Sequence, residues 1–378
     1  TEKGFTVDEV ATRMSFNFAI SSNYFMEIAK FRAARLLWAK MVEVYNPTSA
    51  KSSQMRIHAE TSRWNKTVYD AYVNMLRTTT EGMSAVLAGV DSLTVLPFDA
   101  PYADSSIFSE RIARNQQLLL REESYLGQVA DPSAGSYYIE NLTISIAENA
   151  WSQFLKVEDM GGYKESFING YVQAQIAEVS SKRDANIANR RETVLGTNQY
   201  PNFNEIADAK AVSADAVTRK ASEKPADAIA LPLVPYRGAQ AFEALRYRTD
   251  VSGRRPKVFM LTLGSLAMRR ARAQFSCNFF AVAGFEVIDN IGFKTVDEGV
   301  KAALDAKSDI VVICSSDEEY ATLAVEAFEK LNGKAIYVVA GDPVCKPELE
   351  AKGIKNYINV KSNLLETLKG YQNLLNIK

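Results

Sequence analysis

The sequence predicts an α/β protein with parallel sheets, in two sheet-bearing parts joined by a connector. Two observations carry this. Short alternating or continuous apolar runs recur along the chain, separated by longer segments whose apolar residues return at helical spacing. Strand-to-helix alternation of that kind is the signature of parallel βα units. The 378 residues are long enough for two or three such parts.

In the first part, Arg13–Ile20 (RMSFNFAI) alternates as a strand. A long helix follows, with Phe25, Ile28, Ala29, Leu36 and Leu37 at helical spacing. Asn46-Pro47 ends it, because proline biases its predecessor away from the helical region. Gln54–Ala59 is a second strand and Asn74–Ala88 a helix stopped by Gly89. Asp91–Leu96 is a third strand, closed by Pro97, and Ser106–Ser124 a further helix. Three units are too few for a closed barrel, which takes eight strands in about 250 residues. They would leave strand edges that proteins do not tolerate exposed. The chain opens on TEKGFTVDEV without a methionine. The expectation is therefore that strands upstream of Thr1 have been cut away or that another chain covers the edges.

The connector spans 162–253. It holds a helical stretch over Lys164–Arg190, a polar Ala/Lys/Asp/Glu run to about Ala228, the prolines Pro232 and Pro235, and a helix over Gln240–Arg248. It reads as a segment wrapping a neighbouring surface, with Ala207–Asp227 reading equally well as a poorly ordered link. In the last part, Lys257–Leu263, Glu286–Asp289, Asp309–Ser315, Ala335–Ala340 and Asn356–Ile358 are five strands with amphipathic helices between and after them. That pattern is a doubly wound sheet of flavodoxin-like size. Ligands of such sheets sit beyond the strands' carboxyl ends, here Thr262–Ala267, Asn290–Phe293, Ser315–Asp317 and Gly341-Asp342-Pro343.

Composition excludes several functions. A net charge of −1 gives no basic stripe for nucleic acid, and no apolar run approaches the length of a membrane span. No secretory signal is visible at the start. Cys277, Cys314 and Cys345 are odd in number and form no C-x-x-C pair, which suits a reduced, cytoplasmic compartment. His58 is the only histidine, so no site needing two imidazoles can form on this chain.

The segments YFMEIAKFRAARLLWAK, RIHAETSRW, FSERIARNQQLLLREES, DPSAGSYYIE and RRETVLGTNQYPN resemble methylmalonyl-CoA mutase, over nearly the whole chain. The resemblance is to the small, β-type chain of heterodimeric bacterial members. It implies that residues 1–161 are the last three strands of a (β/α)8 TIM barrel. It also implies that 254–378 is a flavodoxin-like, doubly wound, cobalamin-binding-like domain. The partner implied is a large (alpha) catalytic mutase subunit that carries adenosylcobalamin and interconverts methylmalonyl-CoA and succinyl-CoA. Acyl-CoA would then be met only through the complex.

The family's cobalt-binding motif, D-x-H-x-x-G, falls on Ala267 to Arg272. Ala267 stands for the aspartate, Arg269 for the ligating histidine and Arg272 for the glycine. A guanidinium offers no lone pair, and the last part has no histidine at all. After the third strand, the family's ribose-holding Asn and Glu are replaced by Leu96 and Ala100, which cannot make those hydrogen bonds. A family glutamine becomes Glu60, while His58 is kept. The resemblance places Arg13 and Ser15 near the CoA chain. These four residues are a vestigial substrate groove, or else His58 is a structural histidine and Arg13 a strand-end arginine paired with a carboxylate. Asp131, Gly135 and Tyr137-Tyr138 read as an anchoring turn. The expectation is a chain with no catalytic, cofactor or metal residue of its own. Two rivals stay open: an active chain with unusual cobalt ligation, and a regulatory module using the C-terminal sheet for a small ligand.

Overall fold

The computed structural model describes residues 4–206 and 212–377. The chain divides into two compact units. Thr1–Lys66, Ala71–Ser180 and Lys220–Arg237 form the first, and Thr67–Asp70, Ser181–Arg219 and Gly238–Lys378 the second. The residues expected as a connector, 162–253, are thus shared between both. Within them, 207–211 lie outside the described residues.

In the first unit, helix α1 (Val7–Ala11) is held by a capping box in which Thr6 and Glu9 exchange hydrogen bonds. Strands β1 (Phe16–Ile20), β2 (Ile57–Thr61) and β3 (Ser92–Thr94) form a parallel sheet in that order. Helix α2 (Tyr24–Glu43) follows β1 and α3 (Val73–Leu87) follows β2. Ile20, Ile57 and Ala59 point to the helices and pack with Ile28, Phe31 and Ala85; Phe16, Phe18 and Leu93 join them. Full burial of a side chain such as Phe31 stabilises by about 1.5–3 kcal/mol. The alternate residues take the other face, as the pleat requires.

Three expected elements are shorter or broken. Strand β1 starts at Phe16, not Arg13, because Arg13 belongs to the turn leaving α1, its N–H bonded to the Val10 carbonyl. The helix expected over Ser106–Ser124 is α4 (Ile107–Leu118) followed by a π turn, Leu119–Glu123, which buries Leu120. The stretch Lys164–Arg190 is two helices, α6 (Tyr163–Ile168) and α7 (Tyr171–Ala188), the second beginning after Gly170. That glycine has φ +87°, a conformation that interrupts a helix. Between the π turn and α6 lies α5 (Tyr137–Asp159). The boundary of the two units falls within α7.

The second unit contains α8 (Ala214–Val217), α9 (Gln240–Val251) and a five-stranded sheet. Its strands are β4 (Lys257–Thr262), β5 (Glu286–Ile288), β6 (Ile310–Cys314), β7 (Ile336–Ala340) and β8 (Tyr357–Ile358). They are all parallel, in the order β5-β4-β6-β7-β8, so the winding reverses between β4 and β6. Helices α10 (Leu266–Ala281), α11 (Val296–Asp305), α12 (Tyr320–Leu331), α13 (Lys346–Ala351) and α14 (Leu364–Leu374) complete it. Phe259, Leu261, Val311, Ile313 and Val339 face α11 and α12. Met260, Val312 and Val338 point the other way and are equally buried. Burial of both faces is why these strands read as unbroken apolar runs.

Candidate functional site

Parallel strands bring their carboxyl ends to one side, where such sheets place ligands. In the first unit, the register sets Asn17, His58 and Ser92 in one row and Ala19, Glu60 and Thr94 in the next. His58 is fully engaged: Nδ1 lies 2.8 Å from the Ser92 hydroxyl and Nε2 3.3 Å from that of Thr94. The Glu60 carboxylate accepts from Arg63 Nε at 3.2 Å across an exposed pair. Arg13 and Ser15 do not join them. Both are exposed and precede β1, at its amino end, and Arg13 donates to the Glu9 carbonyl at 2.6 Å. Beyond the carboxyl end of β3, Leu96 is buried and its N–H donates to the Thr61 hydroxyl at 2.9 Å. Ala100 closes a turn on the Pro97 carbonyl. Neither offers a polar side chain there. Asp99, between them, is buried with Oδ1 unpartnered.

Sequence reasoning missed a charged pair in this unit. Lys66, just past β2, and Glu81, on α3, are both buried, with Nζ 2.8 Å from each carboxylate oxygen. Asn65 donates to the same carboxylate at 2.6 Å. Burial pushes the Lys66 ammonium below its ordinary value and the Glu81 carboxyl above its own. Of the expected anchoring turn, Asp131 and Gly135 are tied down, while Tyr137 and Tyr138 are exposed. Arg32 on α2 reaches Asp131 at 3.2 Å and Glu140 at 2.8 Å, and Glu140 also accepts the Gly135 N–H.

In the second unit, a crevice of about 410 Å³ opens between the start of α10 and the ends of β7 and β8. Met268, Arg272, Phe275, Asp317, Gly341 and Ile358 are among the residues that line it. Arg272 donates to Asp317 Oδ1 at 2.7 Å and to the Ala340 carbonyl, and lies over the Tyr320 ring at 5.3 Å. Arg269 donates to the Gly264 carbonyl at 3.0 Å. Ala267 is exposed on the first turn of α10.

Glu319 is the residue the sequence reading passed over here. Its Oε2 accepts from the Ser265 and Ser316 N–H groups at 3.1 and 3.2 Å, and from the Ser315 and Ser316 hydroxyls at 2.6 and 2.8 Å. These bonds, led by the Ser315 hydroxyl, hold its carboxyl down at about 2. The S-x-x-E spacing of Ser316 and Glu319 was the available signal, but it reads as a helix start. Cys277 and Cys314 are buried thiols, the former pushed up to about 12 by desolvation, and neither is poised to react. Among the described residues, no helix is long and apolar enough to cross a membrane.

The profile of the family described as Methylmalonyl-CoA mutase matches residues 1–229. The methylmalonyl-CoA mutase small subunit of Porphyromonas gingivalis is 55% identical over 381 residues, covering 100% of this chain and 61% of that protein. The probable methylmalonyl-CoA mutase small subunit of Mycobacterium bovis is 36% identical, over 97% of this chain and 59% of its own length. The probable mitochondrial methylmalonyl-CoA mutase of Caenorhabditis elegans is 41% identical over 198 residues, 52% of this chain and 27% of that one. This chain therefore spans about three-fifths of the length of these two small subunits. With the profile covering more than half its residues and 55% identity running its full length, the chain belongs to the methylmalonyl-CoA mutase family.

Proposed function

We propose that this chain is the non-catalytic small subunit of a heterodimeric methylmalonyl-CoA mutase. The large (alpha) subunit holds adenosylcobalamin and interconverts methylmalonyl-CoA and succinyl-CoA. The first unit corresponds to the last strands of a (β/α)8 barrel, and the second to a flavodoxin-like domain derived from a cobalamin-binding one. The names of the two small-subunit relatives support a larger partner. Edge strands β1 and β3 support further strands, supplied from upstream of Thr1 or by another chain.

The observation that carries the reading is at Arg269. Where the family's motif sets a histidine, a permanent cation stands, and its side chain is turned back onto the Gly264 carbonyl. The residues around it do not fit a cobalamin either. A Cβ built on Gly292 would come within 2.5 Å of the Arg269 guanidinium, and one on Gly341 would collide with that of Arg272. The space that glycines leave for a close-packed ligand is taken. In the first unit, Leu96 and Ala100 offer no hydrogen bonds to a sugar, and His58 has both nitrogens engaged. The role left to this chain is interface and stability.

The test is cobalt content and turnover of each whole subunit, separately and recombined. This chain alone is expected to carry no cobalt and to turn over no substrate. The recombined pair is expected to carry one cobalt per heterodimer and to be active. Cobalt that purifies with this chain alone, or turnover by it alone, refutes the reading.

A further inference from the structure

The second unit sets its own side chains against the glycines at its strand ends, while the crevice between α10 and the ends of β7 and β8 stays open. Three glycines lie at the carboxyl ends of its strands: Gly264 after β4, Gly292 after β5 and Gly341 after β7. Each has a positive φ and so keeps the backbone open to close approach. A side chain of this same chain lies against every one of them. A Cβ on Gly264 would collide with the Glu319 carboxylate, one on Gly292 with Arg269, and one on Gly341 with Arg272.

The three side chains are also tied down. Glu319 takes the position an anionic ligand group would take. It accepts the Ser265 N–H at the start of α10, a second backbone N–H from Ser316 and two serine hydroxyls. The first turn of α10 has no acidic residue of its own, so this carboxylate supplies the negative charge its N-terminus favours. Arg272 spans from α10 to Asp317 beyond β6 and to Ala340 at the end of β7, with its side chain only 16% exposed. Arg269 holds the loop after β4 and covers the one after β5. Together they bridge the ends of four of the five strands.

We propose that Glu319, Arg269 and Arg272 form an internal plug. It excludes a cobalamin from these strand ends by occupying the close-approach space beside the three glycines, and not only by the lack of an imidazole. This rests on the reading of the chain as the cobalamin-free partner and names what enforces it.

The experiment titrates the whole protein with hydroxocobalamin and reads the corrin absorbance that co-elutes on gel filtration. Two variants accompany the wild type. Arg269→His restores the imidazole and leaves the other two plugging side chains. R269H/R272G/E319S restores it and clears the space. The plug predicts no bound corrin in the wild type, little in the single variant, and an affinity in the triple variant about tenfold or more above the single. Equal binding by the single and triple variants, or none by a folded triple variant, overturns the plug and leaves the cobalamin-free reading standing. Corrin bound by the wild type overturns both.

A second measurement needs no variant. Phenylglyoxal labelling of the native protein, read by peptide mass, is expected to modify exposed Arg270 several-fold faster than Arg269 and Arg272. Equal rates at the three would overturn the proposal.

Discussion

Removing the Glu81 carboxylate should destabilise the first unit more than removing an exposed carboxylate of that unit's sheet. Glu81 and Lys66 are 0% and 2% exposed, and Nζ contacts both oxygens at 2.8 Å. Glu81→Ala leaves a buried ammonium with only the Asn65 amide oxygen, 2.9 Å away. Breaking one partner of such a pair costs about 3–5 kcal/mol. At about 2–4 °C per kcal/mol for a unit of this size, the melting temperature should fall by roughly 6–20 °C. The control is Glu60→Ala, whose Arg63 pair is 72% and 40% exposed and should be worth about 0–1 kcal/mol. Because burial opposes both charges, replacing the two together, Lys66→Met with Glu81→Leu, should recover most of the loss. Thermal and urea unfolding of the four proteins decide it. A Glu81→Ala cost no greater than that of Glu60→Ala, or a double variant no more stable than Glu81→Ala, would refute the reasoning.

Two further outcomes are expected. His58→Leu should cost about 0.5–1.5 kcal/mol, the worth of the hydrogen bonds to Ser92 and Thr94, and leave turnover of the recombined mutase unchanged; a fall in turnover at unchanged stability would give His58 a role toward substrate. Asp8 is held down to about 2, first by the Ser52 hydroxyl and then by Thr48. A depressed acid contributes stability above its unfolded value of 3.8, and that contribution is lost as pH falls through about 2. The Thr48 amide, bonded to Asp8 at 3.0 Å, should therefore titrate near 2 in an NMR series and not near 4.

What the sequence made legible follows from how each element is stabilised. The strands KVFMLT, IVVIC and IYVVA were visible because both faces are buried, so all positions but Lys257 and Thr262 are apolar or aromatic and local composition suffices. The ends of β1 and of α4 were not, because they depend on local competition. Arg13 is drawn into the turn closing α1, and Leu120 reaches the core only if the helix takes an extra residue in its turn. Lys66 and Glu81 lie 15 residues apart at no helical spacing, so nothing local marks them as partners. That position 269 is an arginine and that the second unit has no histidine could be read from residue type alone. Where the replacement guanidinium groups go could not, since Arg272 finds its partners 45 and 68 residues away.

That difference bears on how a site is lost. Substituting one ligand abolishes coordination at once, but leaves an open, polar crevice with buried donors unsatisfied, and such groups cost about 1–3 kcal/mol each. Any side chain that satisfies such groups adds stability. The Ser265 and Ser316 N–H groups now donate to Glu319, and the Ala340 carbonyl accepts from Arg272. In the first unit the hydroxyls of Ser92 and Thr94 lie against His58. These polar groups at both sets of strand ends are bonded within the chain, whereas Asp99 Oδ1 and the Nε atoms of Arg269 and Arg272 are buried without a partner. Structural repacking of this kind predicts an order of effects: reversing the ligand substitution alone restores least, and clearing the later side chains restores most.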